Sequence, residues 1–279
     1  MIDLHTHSTV SDGTDAPAEV VRLAVDAGCA AIALTDHDTL DHLPDARVAA
    51  ETAGIRLVPG CEISCATGAP GSMHVLVYFV EEESSLAARL ASLQRARDER
   101  NHRIVEALRS SDVDITYDEV LAEAGDASSV GRPHVARVLV RKRAATSIQD
   151  AFDRWLAKGK SAYAERDRLT PDEAVELSHE SGALTSLAHP YSLDLSEDAL
   201  DEYVAHLAAV GLDALECTYG RYSAGEREEL RDLAARHGLA ATGGSDYHGE
   251  NKPGLSVGTG RGDLCVPAEL LEGLEQLRS

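Results

Sequence analysis

Both ends of the chain alternate short apolar runs, rich in β-branched residues, with amphipathic stretches at helical spacing. Ile2–His5 is an apolar run ending in His-Thr-His. Pro17–Ala27 predicts a helix, with proline in its first turn and Gly28 just past its end. Ala30–Thr35 predicts a buried strand, Asp41–Ala53 a helix stopping at Gly54, and Arg56–Pro59 a strand leading into Gly60-Cys61-Glu62. Met73–Val80 (MHVLVYFV) is the strongest strand signal in the chain. The alternation resumes with a strand at Ala183–Ala188, a helix at Ala199–Val210, a strand at Ala214–Cys217, a helix at Ala224–His237 and a strand at Leu239–Gly243. Repeated β–α units predict parallel strands with helices outside them.

Between these two parts the period changes. Ser84–Ser110 reads as one long amphipathic helix, with Leu86, Leu90, Leu93, Ile104 and Leu108 among its apolar positions. Shorter helices are predicted near Tyr117–Ala124, His134–Arg143, Ile148–Ala157 and Pro171–Ser181. The expected organisation is α/β: a first part over 1–80, a mostly helical insertion over 81–182 acting as a lid, and a second part over 183–279.

Charge narrows the function classes. Lys and Arg number 26 against 48 Asp and Glu, a formal charge of −22. A nucleic-acid-coating protein neutralises phosphates with Lys and Arg, and this chain has no such excess. A polybasic membrane binder is disfavoured for the same reason, and no apolar run reaches the roughly 20 residues of a membrane span. A small anionic substrate in a locally positive pocket remains open. The first residues, Met1-Ile2-Asp3-Leu4-His5, show no basic region followed by an apolar one. The five cysteines contain no CxxC, so a cytoplasmic location with reduced thiols is expected.

The positions of the histidines and acids matter more than their number. His5, His7 and Asp12 follow the first predicted strand, His37 the second and Glu62 the third. His74 begins a strand, His189 follows another, and Asp246 and His248 follow the last. In parallel barrels the loops after the strands' C-terminal ends converge on one face, so these side chains are expected to meet there. Imidazoles and carboxylates together are the normal donors for divalent cations, which also remove the repulsion among the acids. Residues i and i+2 of a strand share a side, so His5 and His7 can reach one ion. Nine candidate donors exceed one tetrahedral site and imply two or three metals. His42, His102, His179, His206 and His237 lie in or beside helices and read as packed or solvated.

The segments DLHTHSTVSDGT (3–14), ALTDHDT (33–39), PGCEIS (59–64), LAHP (187–190) and GGSDYHG (243–249) resemble the PHP (polymerase and histidinol phosphatase) family in order and spacing. GRPHVAR (131–137) and WLAKGKSAY (155–163) are similar to a stand-alone phosphoesterase subgroup that carries a helical insertion. That subgroup includes nucleotide phosphatases and an RNA 5′-exonuclease. The resemblance implies a distorted (β/α)7 barrel binding up to three ions, commonly Mn²⁺, Zn²⁺ or Fe²⁺. It implies one ion held by His5, His7 and Asp246, with Glu62 bridging to a second held by His74 and His189. Asp12, His37 and His248 would hold the third. The sequence departs from the family pattern at Tyr219-Gly220-Arg221-Tyr222-Ser223, where relatives often carry a His-Ser pair.

The chemistry expected of such a site is hydrolysis of a phosphate monoester by a metal-bridged hydroxide, with the ions also polarising the phosphoryl oxygens. Arg132 and His134 are candidates for gripping the phosphate, since guanidinium bonds two phosphate oxygens at once, and Arg221 is a second. Asp246 is a candidate proton shuttle as well as a ligand. The substrate expected first is a small nucleotide such as a 3′,5′-bisphosphate or AMP. The alternatives are 5′-3′ trimming of short RNA or DNA, or histidinol phosphate. An amidohydrolase using a strand-end carboxylated lysine is disfavoured, because none of Lys142, Lys158, Lys160 and Lys252 ends a predicted strand.

Overall fold

β1 (Ile2–Thr6) is buried along its whole length. The two-residue period sends Ile2 and Leu4 into an aliphatic core and leaves Asp3 and His5 for the opposite side. The structure is a computed structural model that describes residues 1–125, 130–165 and 167–278.

β1 pairs in parallel with β2 (Ala31–Leu34), and β2 with the two-residue β3 (Arg56–Leu57). Helices α1 (Pro17–Asp26) and α2 (Leu43–Ala53) cover this sheet: Val20, Val21, Ala24, Ala46 and Ala50 pack with Ile32 and Leu34. α2 ends at Gly54 in left-handed backbone, which glycine adopts without steric cost.

A second sheet contains β4 (Gly60–Ser64), β5 (His74–Tyr78), β6 (Leu184–Leu187), β7 (Ala214–Tyr219) and β8 (Ala240–Gly244), in that order. β6, β7 and β8 run parallel, whereas β5 runs antiparallel to both β4 and β6. α3 (Ser85–Arg109), α4 (Tyr117–Ala124), α5 (Arg132–Arg141) and α6 (Ile148–Ala151) follow β5 in the chain, and α7 (Pro171–Glu180) precedes β6. α8 (Glu197–Val210) and α9 (Ala224–Arg236) connect the parallel strands. A last helix, α10 (Glu269–Leu277), adds Leu271 and Leu274 to the core shared by Ile2, Leu4, Leu76 and Tyr78.

This architecture corrects the expected (β/α)7 barrel. The strands form two separate sheets, three- and five-stranded, rather than one closed ring of seven parallel strands. Two causes are visible. β3 spans only two residues and its ladder ends there, and β5 reverses direction within the second sheet. Between the sheets, strand-type pairing is reduced to isolated bridges, Thr6 with Tyr247 and His37 with Glu62.

The chain divides into two compact units, Met1–Leu90 with Arg168–Ser279, and Ala91–Asp167. Within the second, Ile104 and Leu108 of α3, Val120 of α4, and Val135, Val138 and Leu139 of α5 form a separate aliphatic core. α6 runs into a π-helical turn at Phe152–Leu156. Among the described residues, no helix is long and apolar enough to cross a membrane.

Candidate metal centre

The first unit brings His5, His7, Asp12, His37, Glu62, His74, His189, Asp246 and His248 together. Glu62 is the hub. Its Oε2 lies 3.0 Å from His7 Nε2, 3.2 Å from His5 Nε2 and 3.3 Å from His37 Nδ1. Its Oε1 lies 2.9 Å from both His74 Nδ1 and His189 Nε2. Glu62 comes after β3, as the sequence suggests, but it lies inside a further strand, in the middle of β4. His74 joins from the start of β5 because that strand is reversed. Its first residue pairs with the last of β4, and the backbone N–H of Ala188, just past β6, donates to the His74 carbonyl.

Three donor groups overlap through shared residues: His5, His7, Glu62 and Asp246; His37, Glu62 and His74; and His7, Asp12, His37 and His248. Every member is buried or half-buried except Asp12, whose side chain is 54% exposed and marks the open edge. His248 Nε2 is 3.2 Å from Asp12 Oδ1.

Second partners fix which nitrogen each ring presents. His5 Nδ1 donates to Glu216 Oε1 at 2.9 Å, and His248 Nδ1 to the carbonyl of Asp246 at 2.9 Å. His189 Nδ1 donates to Ser192 Oγ at 2.7 Å, and that hydroxyl in turn donates a hydrogen bond to the Ser72 carbonyl. All three rings therefore turn Nε2 inward, the nitrogen that ligates a cation once it carries no proton.

The donors fit divalent cations by a further test. His7 Nδ1, His37 Nδ1, Asp246 Oδ1 and His248 Nε2 are buried polar atoms without a hydrogen-bond partner among the described residues. Unpaired buried polar atoms are costly, and ion coordination would satisfy them.

Electrostatics follow from crowding. Burial alone would raise the Glu62 carboxyl, but His37, His5 and His74 outweigh it and hold it well below the carboxylate range. Burial also opposes ionisation of Asp246, and His5, Lys252, His7 and His248 overcome it. His7 drops to about 3, from burial first and then from His248 and His37 beside it. Burial would depress His5 too, yet Glu216, Glu62 and Asp246 raise it well above its ordinary value.

The backbone is strained where it aims these groups. His189 (φ 29°) and Asp246 (φ 55°) are in positive-φ backbone. Such conformations cost on the order of 1–3 kcal/mol each and gather at functional sites. Gly244 is required by close approach: a Cβ there would lie 2.4 Å from the backbone nitrogen and Cβ of His5.

Sequence reasoning missed the supporting residues. Glu216 is fully buried in β7, bonded to His5 and accepting the His189 backbone N–H at 2.7 Å. Its signal was a charged residue inside the apolar run ALECTY. Asp36 accepts from the Ser8 backbone, Ser8 Oγ and Ser11 Oγ, pinning the loop after β1. His42 is fully buried 3.2 Å from Asp36. Of the phosphate candidates, Arg221 is exposed just past β7. Arg132 and His134 lie in the second unit, at the start of α5. Arg132 donates to the Leu156 carbonyl at 3.0 Å, with its guanidinium over Phe152 and Tyr163, and His134 Nδ1 accepts the Gly131 N–H.

The PHP domain model matches residues 3–165, more than half of the chain. The chain belongs to the PHP family. This PHP protein is 35% identical over 280 residues to the 5′-3′ exoribonuclease Rnm of Escherichia coli K12, covering 99% of the chain and 92% of that relative. It is 31% identical to the 3′,5′-nucleoside bisphosphate phosphatase of Chromobacterium violaceum, over 92% of the chain and 90% of the relative. It is 34% identical to the phosphoribosyl 1,2-cyclic phosphate 1,2-diphosphodiesterase of Eggerthella lenta, over 89% and 94%. A solved structure from C. violaceum, named as an amidohydrolase with bound sulfate, superposes with a TM-score of 0.77 at 30% identity, covering 99% of this chain and 96% of that one. The PHP protein is a metal-dependent phosphoric ester hydrolase.

Proposed function

We propose that this PHP enzyme is a 5′-3′ exonuclease that shortens RNA oligonucleotides from a 5′-phosphorylated end, using two or three divalent ions such as Mn²⁺, Zn²⁺ or Fe²⁺. The reading rests on one observation: end-to-end likeness to the 5′-3′ exoribonuclease of E. coli, at 35% identity over 99% of the chain. Taken alone, the acidic composition favours a small nucleotide. That preference gives way here, because bound cations supply positive charge that the chain lacks. Hydrolysis of a 3′,5′-bisphosphate nucleotide is the second reading, supported by the C. violaceum relative.

When bound, the divalent ions activate water and offset charge on the attacking and leaving oxygens. The chain's own residues do the rest. The imidazoles of His5, His7, His37, His74, His189 and His248 would hold the ions, and Glu62 would join the groups with both oxygens. Asp246 turns Oδ1 inward, where it would hold an ion, and a proton of the attacking water would go to the remaining lone pair of that same oxygen. Asp12 lines the open edge at which a 5′ end would enter. Arg132, His134 and Arg221 are the proposed phosphate contacts.

The test offers 5′-phosphorylated oligoribonucleotides, the 3′,5′-bisphosphate of adenosine and AMP to the Mn²⁺-loaded enzyme. Mononucleotide release from the oligomers should be fastest. Faster phosphate release from the bisphosphate would favour the second reading over the first.

A further inference from the structure

Asp246 treats its two oxygens differently. Oδ1 faces His5 Nε2, His7 Nε2 and His248 Nδ1 at 3.4–3.5 Å and has no hydrogen-bond partner among the described residues. Oδ2 accepts twice, from Tyr219 Oη at 2.6 Å and from Lys252 Nζ at 2.6 Å. Neither donor belongs to the donor groups around Glu62.

Both donors are themselves held. The Tyr219 ring stands edge-on to His189 and to Tyr222, and Arg227, buried in α9, donates to the Tyr219 carbonyl at 3.3 Å. Lys252 follows a short turn at Gly249–Asn251 whose neighbours anchor it. The Glu250 N–H donates to Thr14 Oγ1 at 3.0 Å, and Asn251 Nδ2 to the Asp12 carbonyl at 2.8 Å. Gly249 has φ 63°, and a Cβ there would fall 1.8 Å from Thr14 Oγ1, so only glycine lets the turn close. One loop thus ties down the backbone of Asp12 and delivers an ammonium to Asp246.

We infer that Tyr219 and Lys252 are positioning residues that clamp Asp246 Oδ2, so that the carboxylate offers a single oxygen, Oδ1, to an ion. A carboxylate free to rotate can bind through one oxygen or two, and coordination number governs what else the ion holds. A charge-assisted pair of donors on one oxygen removes that freedom. The inference rests on the metal-dependent reading of the site, but not on which phosphate ester is cleaved.

The test uses the full chain stripped of metal and reconstituted with Co²⁺, whose visible spectrum reports coordination geometry. Lys252→Met and Tyr219→Phe should each alter the Co²⁺ bands. In the Mn²⁺ enzyme they should lower kcat by about 10–100-fold with KM nearly unchanged. Lys252→Arg should restore most of the spectrum and rate. Tyr219→Phe, which changes one hydroxyl, keeps the test open if Lys252→Met folds poorly. Unchanged spectra and kcat in both variants would overturn the clamp. A rise in KM alone would also overturn it, because that marks Lys252 as a substrate contact. If the protein cleaved no phosphate ester, the functional proposal would fail while the Co²⁺ spectrum still read the clamp.

Discussion

His5 donates its Nδ1 proton to Glu216 across 2.9 Å, and this bond decides which nitrogen His5 turns toward Glu62 and Asp246. Glu216 accepts the His189 backbone N–H as well, so one buried carboxylate sets the pose of two candidate ligands. Glu216→Gln has one acceptor oxygen where two are used. Mn²⁺ affinity should weaken about 10–100-fold, as for other groups that orient ligating histidines. An orphaned buried donor should cost on the order of 1–3 kcal/mol of folding stability. Calorimetric Mn²⁺ titration and denaturant unfolding measure the two effects, and wild-type values in both would remove Glu216 from the site.

Metal uptake should release a proton. Glu216, Glu62 and Asp246 outweigh burial and hold His5 well above its ordinary value of 6.5, so metal-stripped protein keeps it protonated near neutrality. A ligand nitrogen must be deprotonated, so affinity should climb as pH rises toward the folded-state value. His7 lies at about 3 and is already neutral, and contributes no proton. For folding, His5 contributes stability fully below 6.5 and loses it as pH rises through the folded value. Titrating Mn²⁺ near pH 7 in buffers of different ionisation enthalpy tests the coupling. Identical apparent enthalpies would contradict it.

Gly244→Ala should damage the fold and the site together. The added Cβ would meet backbone as well as side chain of His5, and backbone cannot swing aside. A loss of about 1–3 kcal/mol or more is expected, the range for overpacking a tight interior. Denaturant midpoints and bound metal per chain would show it. Wild-type stability with full metal content would mean that β1 and β8 separate more readily than their packing implies.

Arg132→Ala should raise KM for a 5′-phosphorylated oligoribonucleotide by about 10–100-fold, the worth of a charge-assisted hydrogen bond, with a smaller effect on kcat. The Phe152 and Tyr163 rings and the Leu156 carbonyl already hold the guanidinium in place. Steady-state kinetics on 5′-phosphorylated and 5′-hydroxyl oligomers separate the roles. An equal change on both would make Arg132 a support of α5 rather than a phosphate contact.

Much of the local structure is written in the residue pattern. The extent of α4 at Tyr117–Ala124 is read directly from its periodicity, and the end of α2 at Ala53 from Gly54 beyond it. The antiparallel course of β5 is not readable. An apolar strand looks the same in either direction, and ladder partners come from elsewhere in the chain. The barrel that the family resemblance implies fails for that reason, and because Gly60–Ser64 does not read as a strand: seven strands are legible in the sequence, eight form among the described residues, and their pairing is not encoded locally.

The sequence by itself determined where histidines and acids fall relative to the strands, and hence the chemistry they could share, because donor type and two-residue spacing are local properties. Only the tertiary structure decided that Glu62 is the hub, that Glu216 directs His5, and that Tyr219 and Lys252 divide the oxygens of Asp246. Those roles depend on burial and on contacts between residues as many as 211 positions apart, which no local pattern encodes.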